Sequence, residues 1–331
     1  MLILLLTTLS FALTYILKHY AIKRNVVDIP NARSSHTIPT PRGGGVAFVF
    51  TFLLFLLITY IDSSDRYLLI LFFSSLFIAV IGFIDDLIDL SAKIRLIAHF
   101  ITATFIAIYF DGFPVLTIFD LTVELGVIGI LLSTLFCVWM LNLYNFMDGI
   151  NGIAGMEGVF VSLIMALFSF VILSNIELSV MFLALSGSCL GFLVWNFPYA
   201  KIFMGDAGSS FLGFTFASLI LYSSNMHPEL FWCWLILLGV FIVDSTYTLL
   251  TRIGLGCKPF EAHNTHCYQK IAKQCNSHIR AVLYIVTVNV FWLAPLALLS
   301  VLYPNYGAAI MFISYIPLIL IAIKFKAGEN I

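Results

Sequence analysis

The 43 residues from Ala281 to Ile323 carry no charged side chain. A hydrocarbon core is crossed by about 20 residues of helix, so this segment is too long for one span and must turn back once. Tyr303-Pro304-Asn305-Tyr306-Gly307 supplies the turn, because Pro and Gly together interrupt a helix. Uncharged stretches of similar kind recur from the first residue onward. Of 331 residues only 10% are charged and 61% are hydrophobic, against roughly 25% charged in soluble domains. A soluble globule needs a wettable exterior, so lipid is the solvent of this chain.

Reading apolar runs between polar breaks predicts helices over 1–20, 44–61, 67–84, 94–110, 124–144, 156–173, 178–195, 211–224, 231–250, 282–302 and 307–323. The expected fold class is all-α: a polytopic integral membrane protein of about 10–11 transmembrane helices. Residues 1–331 read as a single domain with no linker. Met1 to Leu17 lacks a basic n-region and a small-x-small cleavage site, so it reads as a first span and not a removed signal. The six cysteines form no C-x-x-C pair, and reduced thiols without disulfides are expected. The 32 phenylalanines read as lipid-facing bulk, Phe203 excepted.

Lys and Arg set the orientation. With loops alternating from an outside N-terminus, every one of the 16 basic residues except Arg66 falls on one side. That side is the cytoplasmic one, and the loops around 21–43, 85–95, 145–155, 196–210 and 251–281 share it. A membrane protein working from its cytoplasmic face is the expectation. Nothing in the charge pattern suggests nucleic acid as a partner.

Those loops hold the chemistry. Asp85-Asp86-Leu87-Ile88-Asp89, continuing to Ser91-Ala92-Lys93-Ile94-Arg95, places Asp85, Asp89 and Lys93 at successive i, i+4 positions if the helix runs on. Carboxylates crowded at a helix end need a cation: Mg²⁺, a substrate ammonium or Lys93. One or two carboxylates completed by substrate phosphate are the usual Mg²⁺ ligands. Asn142 to Gly155 strings three Asn, Asp148 and three Gly after an apolar helix, with donors and acceptors suited to sugar and phosphate. Phe203-Met204-Gly205-Asp206-Ala207-Gly208-Ser209-Ser210 opens a helix whose free N–H groups would favour an anion. Glu261-Ala262-His263-Asn264-Thr265-His266, with Arg252 and Lys258 nearby, suits phosphate or sugar. Zinc and plain loop polarity remain beside that reading, although the spacing fits no ordinary structural zinc pattern. His36, Arg33 and Pro41-Arg42-Gly43-Gly44-Gly45 make a further basic, glycine-rich loop. Solvated acidic or Asn-Gly turns are the plain alternatives for the first three segments. Asp244, alone in an apolar stretch, is either functional or a structural partner for a base.

In this order, the D-D-L-I-D run, N-F-M-D-G-I-N-G, F-M-G-D-A-G-S-S and the His-bearing last loop resemble the polyprenyl-phosphate N-acetylhexosamine-1-phosphate transferases. The likeness extends from Pro41 to Gln269. It implies transfer of a sugar-1-phosphate from a UDP-N-acetylhexosamine to undecaprenyl phosphate, with release of UMP and a need for Mg²⁺, Mn²⁺ substituting. By the same resemblance Asp85 and Asp86 handle the lipid phosphate, and Asn145 and Asp206 stand at the metal and pyrophosphate. Asp148 contacts the nucleotide sugar, Phe203 stacks on uracil, and Lys93 lies near the phosphates. Gly205, Arg42, His36, Arg252, His263 and His266 complete the expected substrate contacts. Two departures stand out. Asn151 replaces a second Asp, and A-H-N-T-H-C-Y-Q replaces the contiguous His triplet of the peptidoglycan enzyme. The chain therefore looks closer to the branch that begins O-antigen or related surface glycans. Membrane lipid is the other partner, with a homodimer left open. The competing readings are a membrane prenyltransferase using D-D-x-x-D, which lacks its second Asp-rich run here, and a transporter, which would favour repeated halves and midplane polar residues.

Overall fold

The computed structural model of the chain describes residues 1–30, 38–258 and 263–329. Its helices are α1 (Leu2–Lys23), α2 (Gly45–Ser63), α3 (Arg66–Ile88), α4 (Ala92–Tyr109), α5 (Gly126–Met147), α6 (Ile153–Val171), α7 (Ile176–Asn196), α8 (Asp206–Met226), α9 (Leu230–Leu237), α10 (Gly239–Gly254), α11 (Cys267–Cys275), α12 (His278–Val288), α13 (Ala294–Leu302) and α14 (Gly307–Lys324). Without water in the hydrocarbon core, backbone N–H and C=O groups must pair within the chain, which makes the spans helical. Among the described residues nine helical segments are long and apolar enough to cross a membrane, with α12 and α13 counting as one through a π-turn at Asn289–Leu293. The pair α9 and α10 is a tenth, bent by 67°. Two short antiparallel pairs complete the described structure: β1 (Val27–Asp28) with β2 (Thr40–Pro41), and β3 (Leu116–Ile118) with β4 (Leu121–Val123).

The remaining long helix, α8, sits at the centre. Its 21 residues cover roughly 30 Å, yet its serines and glycines leave it short of the hydropathy of a lipid-facing span. Every residue from Ala207 to Leu221 is buried, mainly against α3 and α5. A helix that touches only protein needs no lipid-compatible surface. The same packing corrects the reading of the phenylalanines: Phe48, Phe52, Phe182, Phe192, Phe211, Phe214, Phe216 and Phe241 are fully buried around this centre. Large rings fill the gaps that small residues on α8 leave between helices.

The expected single span over 231–250 is also broken. α9 stops at Leu238, and the Leu235 carbonyl accepts a hydrogen bond from Tyr315 Oη (2.8 Å) on α14. That hydroxyl replaces an intrahelical donor lost at the bend, so the Leu235 carbonyl is not left unpaired. α11 is an addition the apolar pattern did not announce, being short and amphipathic. α3, α5 and α8 bring Asp85, Asn145 and Asp206 to one end of the bundle, the site face.

Candidate active site

The site begins with a close approach. Gly82, on the turn of α3 before Asp86, lies against the first residue of α8. A Cβ there would fall 2.5 Å from the Asp206 carbonyl oxygen. At this separation the Asp86 carboxylate reaches the α8 N-terminus. Oδ1 accepts from the Asp206 N–H (3.1 Å) and Oδ2 from the Ala207 N–H (3.2 Å). Gly205 makes room with φ +78°, since a Cβ at that position would sit 2.6 Å from Asp86 Oδ2. The anion hole expected at the Gly205-Asp206-Ala207 turn is therefore filled by the protein's own carboxylate, which the helix N-terminus favours. Arg42 flanks it, with Nε 3.7 Å from Asp86 Oδ1 and Nη2 donating to the Asp86 carbonyl.

Asp85 faces a different way. Its Oδ1 accepts from the Leu90 N–H (2.7 Å), and its Oδ2 takes Arg95 Nη1 at 2.5 Å. The same Arg95 nitrogen lies 3.0 Å from Asp206 Oδ2. One guanidinium thus links the D-D run to the Gly-Asp turn, although Arg95 and Asp206 are 111 residues apart in sequence. This pairing depends on a chain break that corrects the expected ladder of Asp85, Asp89 and Lys93. α3 ends at Ile88, Asp89 turns at φ +50°, and Ser91 caps a new helix. Lys93 then falls on the exposed first turn of α4, outside the carboxylate cluster, and Arg95 reaches inward instead.

At the end of α5, Asn145 Nδ2 donates to Ser209 Oγ (3.1 Å). Asp148 follows the helix, and burial, then the charges of Asp206 and Asp86, push its carboxyl up to about 7. Asn196 ties two loops together, accepting from the Gly152 N–H (2.8 Å) and donating to the Ile202 carbonyl (2.9 Å).

Asp244 resolves into a clasp for α11. Its carboxylate accepts from the Cys267 N–H (2.9 Å), the Tyr268 N–H (2.8 Å) and Thr248 Oγ1 (3.1 Å), and meets His266 Nδ1 at 3.2 Å. Tyr268 Oη then donates to the Phe146 carbonyl (3.0 Å), fastening α11 to the end of α5. The basic partner of Asp244 is His266, not Arg252. The His263 and His266 rings lie 4.9 Å apart. Burial, then the neighbouring His266 and Arg252, push His263 down to about 4, so it stays neutral at physiological pH. From the C-terminal end, the Gly328 N–H donates to the Thr265 carbonyl (2.9 Å).

Two cavities open on these residues. One of about 250 Å³ is lined by Arg42, Asp86, Asp148, Asn151, Phe203 and Asp206, with Gly205 at its edge. The other, about 300 Å³, takes in Arg95, His99, Asn145, Ser210, His263 and His266. Asp148, Gly149 and Gln269 line both, so the cavities adjoin, and the Arg95–Asp206 contact spans them. Lys93 and Arg252 line neither. Arg252 is buried in α10. His36 lies outside the described residues. Arg95, Asn196, Tyr268 and Gln269, which stand in or beside the sequence motifs without an assigned role, also line the cavities, as does His99, which by sequence reads as a plain helix or interface residue. For Arg95 and His99 a signal existed: four apart on α4, they share a face. Among the described residues no three His, Cys, Asp or Glu side chains gather into an all-protein metal cage.

A long-helix bundle with a carboxylate and guanidinium cluster at one face defines a polytopic membrane protein built to handle anions at the bilayer edge. Comparison with known proteins makes this specific. The model of glycosyl transferase family 4 matches residues 68–224. The chain is 34% identical over 288 residues to the probable undecaprenyl-phosphate N-acetylglucosaminyl 1-phosphate transferase of Bacillus subtilis, covering 84% of this chain and 78% of that one. It is 30% identical over 276 residues to the undecaprenyl-phosphate alpha-N-acetylglucosaminyl 1-phosphate transferase of Thermotoga maritima, covering 80% of each. A phospho-N-acetylmuramoyl-pentapeptide-transferase of Streptococcus pneumoniae matches at 28% identity, over 64% of this chain and 66% of its own. The chain belongs to glycosyl transferase family 4.

Proposed function

We propose that the chain transfers N-acetylhexosamine-1-phosphate from a UDP-sugar to undecaprenyl phosphate, releasing UMP and forming the first lipid-linked intermediate of a surface glycan. The reaction takes place at the cytosolic face of a bacterial inner membrane. The observation that carries this reading is the pair of adjoining polar cavities bridged by Arg95 and Asp206. Two anionic substrates must meet, and two cavities with a shared cation between them suit that task. The names of the Bacillus and Thermotoga relatives support the acceptor and the sugar phosphate. The predominance of Lys and Arg on the loops of the site face supports the sidedness.

In the reaction, an oxygen of the acceptor phosphate bonds to the sugar-bearing phosphorus of the donor. The bond from that phosphorus to the bridging oxygen breaks, and UMP leaves with the electron pair. Such transfers depend mainly on positioning and on charge stabilisation. Arg95 and Arg42 reduce the repulsion between the incoming phosphates. Asp85 orients the acceptor phosphate through Arg95, which its carboxylate holds against Asp206. Phe203 stacks on uracil, Asp148 and Asn151 contact the nucleotide sugar, and His263 and His266 reach phosphate or sugar from the neighbouring cavity. Asp86 acts by holding the start of α8 in place.

Mg²⁺ fits this site. Asp206 offers a carboxylate oxygen, and Asn145, whose Nδ2 is taken by Ser209, keeps an amide oxygen with no hydrogen bond among the described residues. Burial, and then the charges of Asp206 and Asp86, raise the Asp148 carboxyl, and a cation beside Asp206 would offset the second of these causes. Bound there with substrate phosphates, Mg²⁺ or Mn²⁺ would neutralise charge on the reacting groups.

The test is purified protein with undecaprenyl phosphate and a panel of UDP-N-acetylhexosamines, followed by UMP release. UMP should form only when donor and acceptor are both present. UDP-MurNAc-pentapeptide should fail, because the A-H-N-T-H segment lacks a contiguous His triplet. UMP release without acceptor, or efficient use of the pentapeptide donor, would overturn the corresponding half of the proposal.

A further inference from the structure

A third cavity, about 570 Å³, opens between α10, α11, α12 and α14. That volume lies within the roughly 300–1,000 Å³ of small-ligand sites. Its lining includes none of Asp85, Asp86, Asp148 and Asp206, so it is separate from the carboxylate cluster. The walls are almost entirely apolar, and Val288 and Leu318 form their deep end. Two basic side chains, Arg280 and Lys324, stand at the other end, near the start of α12 and the finish of α14. Both are exposed and form no ion pair among the described residues. From Lys324 back to Leu318, and from Arg280 on to Val288, helix geometry gives depths of about 9 and 12 Å. The cavity therefore pairs unsatisfied positive charge at the bundle edge with an apolar slot running into the spans. The acidic side chain in its wall, Asp244, is consumed by the α11 N-terminus and His266 and leaves little charge to repel an anion.

We propose that this cavity is a binding site for one anionic phospholipid, with an acyl chain in the slot and its phosphate between Arg280 and Lys324. The acceptor lipid of the reaction is disfavoured as the occupant, because its phosphate would rest on Arg280 and Lys324 and not on the cluster around Arg95. The bound chain also has a structural consequence. Cys267, Tyr268 and Ile271 of α11 form part of the wall, while Tyr268 lines the second site cavity as well. A phospholipid there supports the back of α11 and steadies the helix that carries His266 into the site.

The experiment is native mass spectrometry on the purified full chain, offered phosphatidylglycerol or phosphatidylcholine with identical acyl chains. One phosphatidylglycerol per chain should be retained in preference to phosphatidylcholine. The exposed double substitution Arg280→Ala and Lys324→Ala should weaken its retention by roughly 30-fold, the effect of two surface basic residues on an anionic lipid. Ala322→Phe, which narrows the slot without changing charge, should lower retention too. Hydrogen exchange over 267–275 should slow when phosphatidylglycerol is added to the wild-type chain and not to the double variant. Equal retention of the two lipids, or retention indifferent to the double substitution, would refute the site. Stoichiometric displacement by undecaprenyl phosphate would refute it as well, by making the cavity the acceptor's own.

Discussion

Asp244→Ala separates a clasp from a catalytic group. In the native chain, two backbone N–H groups at the start of α11 donate to its carboxylate, at 2.9 and 2.8 Å. Hydrogen bonds to a charged acceptor contribute about 1.5–3 kcal/mol each, so docking of α11 should weaken by about 3–6 kcal/mol. Shared geometry makes the lower end the safer figure. α11 has nine residues, too few to hold a helix alone, where about 12–15 are needed. It should therefore open locally instead of merely shifting. A 3 kcal/mol loss raises the open population by roughly 150-fold, which hydrogen exchange over 264–275 would register directly. Global melting should change less, because the buried centre around α8 is untouched. Turnover should fall with the exchange protection, since His266 and Tyr268 move with α11. Asp244→Asn offers one acceptor oxygen and one conflicting NH₂ group, and should fall between. If Asp244→Ala leaves exchange over this segment unchanged while abolishing activity, the residue acts on substrate and the clasp assignment is wrong.

Arg95→Ala should reduce turnover by about 10²–10³, the scale of losing one electrostatic contact. Arg95→Lys should recover part of it, because one Arg95 nitrogen meets both Asp85 and Asp206 and a flexible ammonium must reach that same point; full rescue by Lys would show that any charged nitrogen there suffices. Asp206→Asn should weaken the apparent Mg²⁺ affinity in a UMP-release assay, whereas Asp85→Asn should lower turnover at nearly unchanged Mg²⁺ requirement. The reverse pattern would exchange their roles. Asp148 holds its proton more tightly in the folded chain, at about 7 against an ordinary 3.8. Its contribution to stability is therefore full below about 4 and lost as pH rises towards 7. Without divalent ions the melting temperature should fall over that interval, and Asp148→Asn should flatten the fall. In a cysteine-free background, an impermeant thiol reagent applied to cells should label cysteines placed at Asp62 or Asn225 and spare those at Lys201 or Lys273; labelling at Lys201 would invert the orientation.

The spans were legible because lipid imposes one rule along the whole chain, and the helical segments fall within a few residues of the apolar runs. α8 was the instructive partial case. The apolar run marked only 211–224, because Asp206 to Ser210 read as a loop. Those polar residues belong to the helix and pack against α3 and α5. The burial of the phenylalanines escaped for the same reason: hydropathy does not tell lipid from protein as an apolar neighbour. The three polar motifs stood out because charge and Asn-Gly clusters are costly beside a membrane, and the structure brings residues of all three to adjoining cavities. What sequence could not supply was the break at Asp89. With the helix continued, Lys93 stacks below Asp85; with it broken, Arg95 does the work. A left-handed residue at Asp89 followed by a Ser91 cap is a local choice between two acceptable readings, and only the packing of α4 decides it.

The same geometry explains why two aspartates stand side by side. Successive residues on a helix point about 100° apart, so Asp85 and Asp86 cannot serve the same partner. Asp86 turns to α8 and takes both free N–H groups at its start, which fixes where Asp206 projects. Asp85 turns to α4 and holds Arg95 against that same Asp206. One carboxylate positions the backbone of the Gly-Asp turn, and the other positions the cation that meets its side chain. Neither can be replaced by its neighbour. Moving the pair by one residue along α3 would swing both groups away while Gly82 kept the contact that lets α3 and α8 approach. The spacing from Gly82 to Asp86 is therefore a single device: a close contact, then two carboxylates aimed at two helices, converging on Asp206.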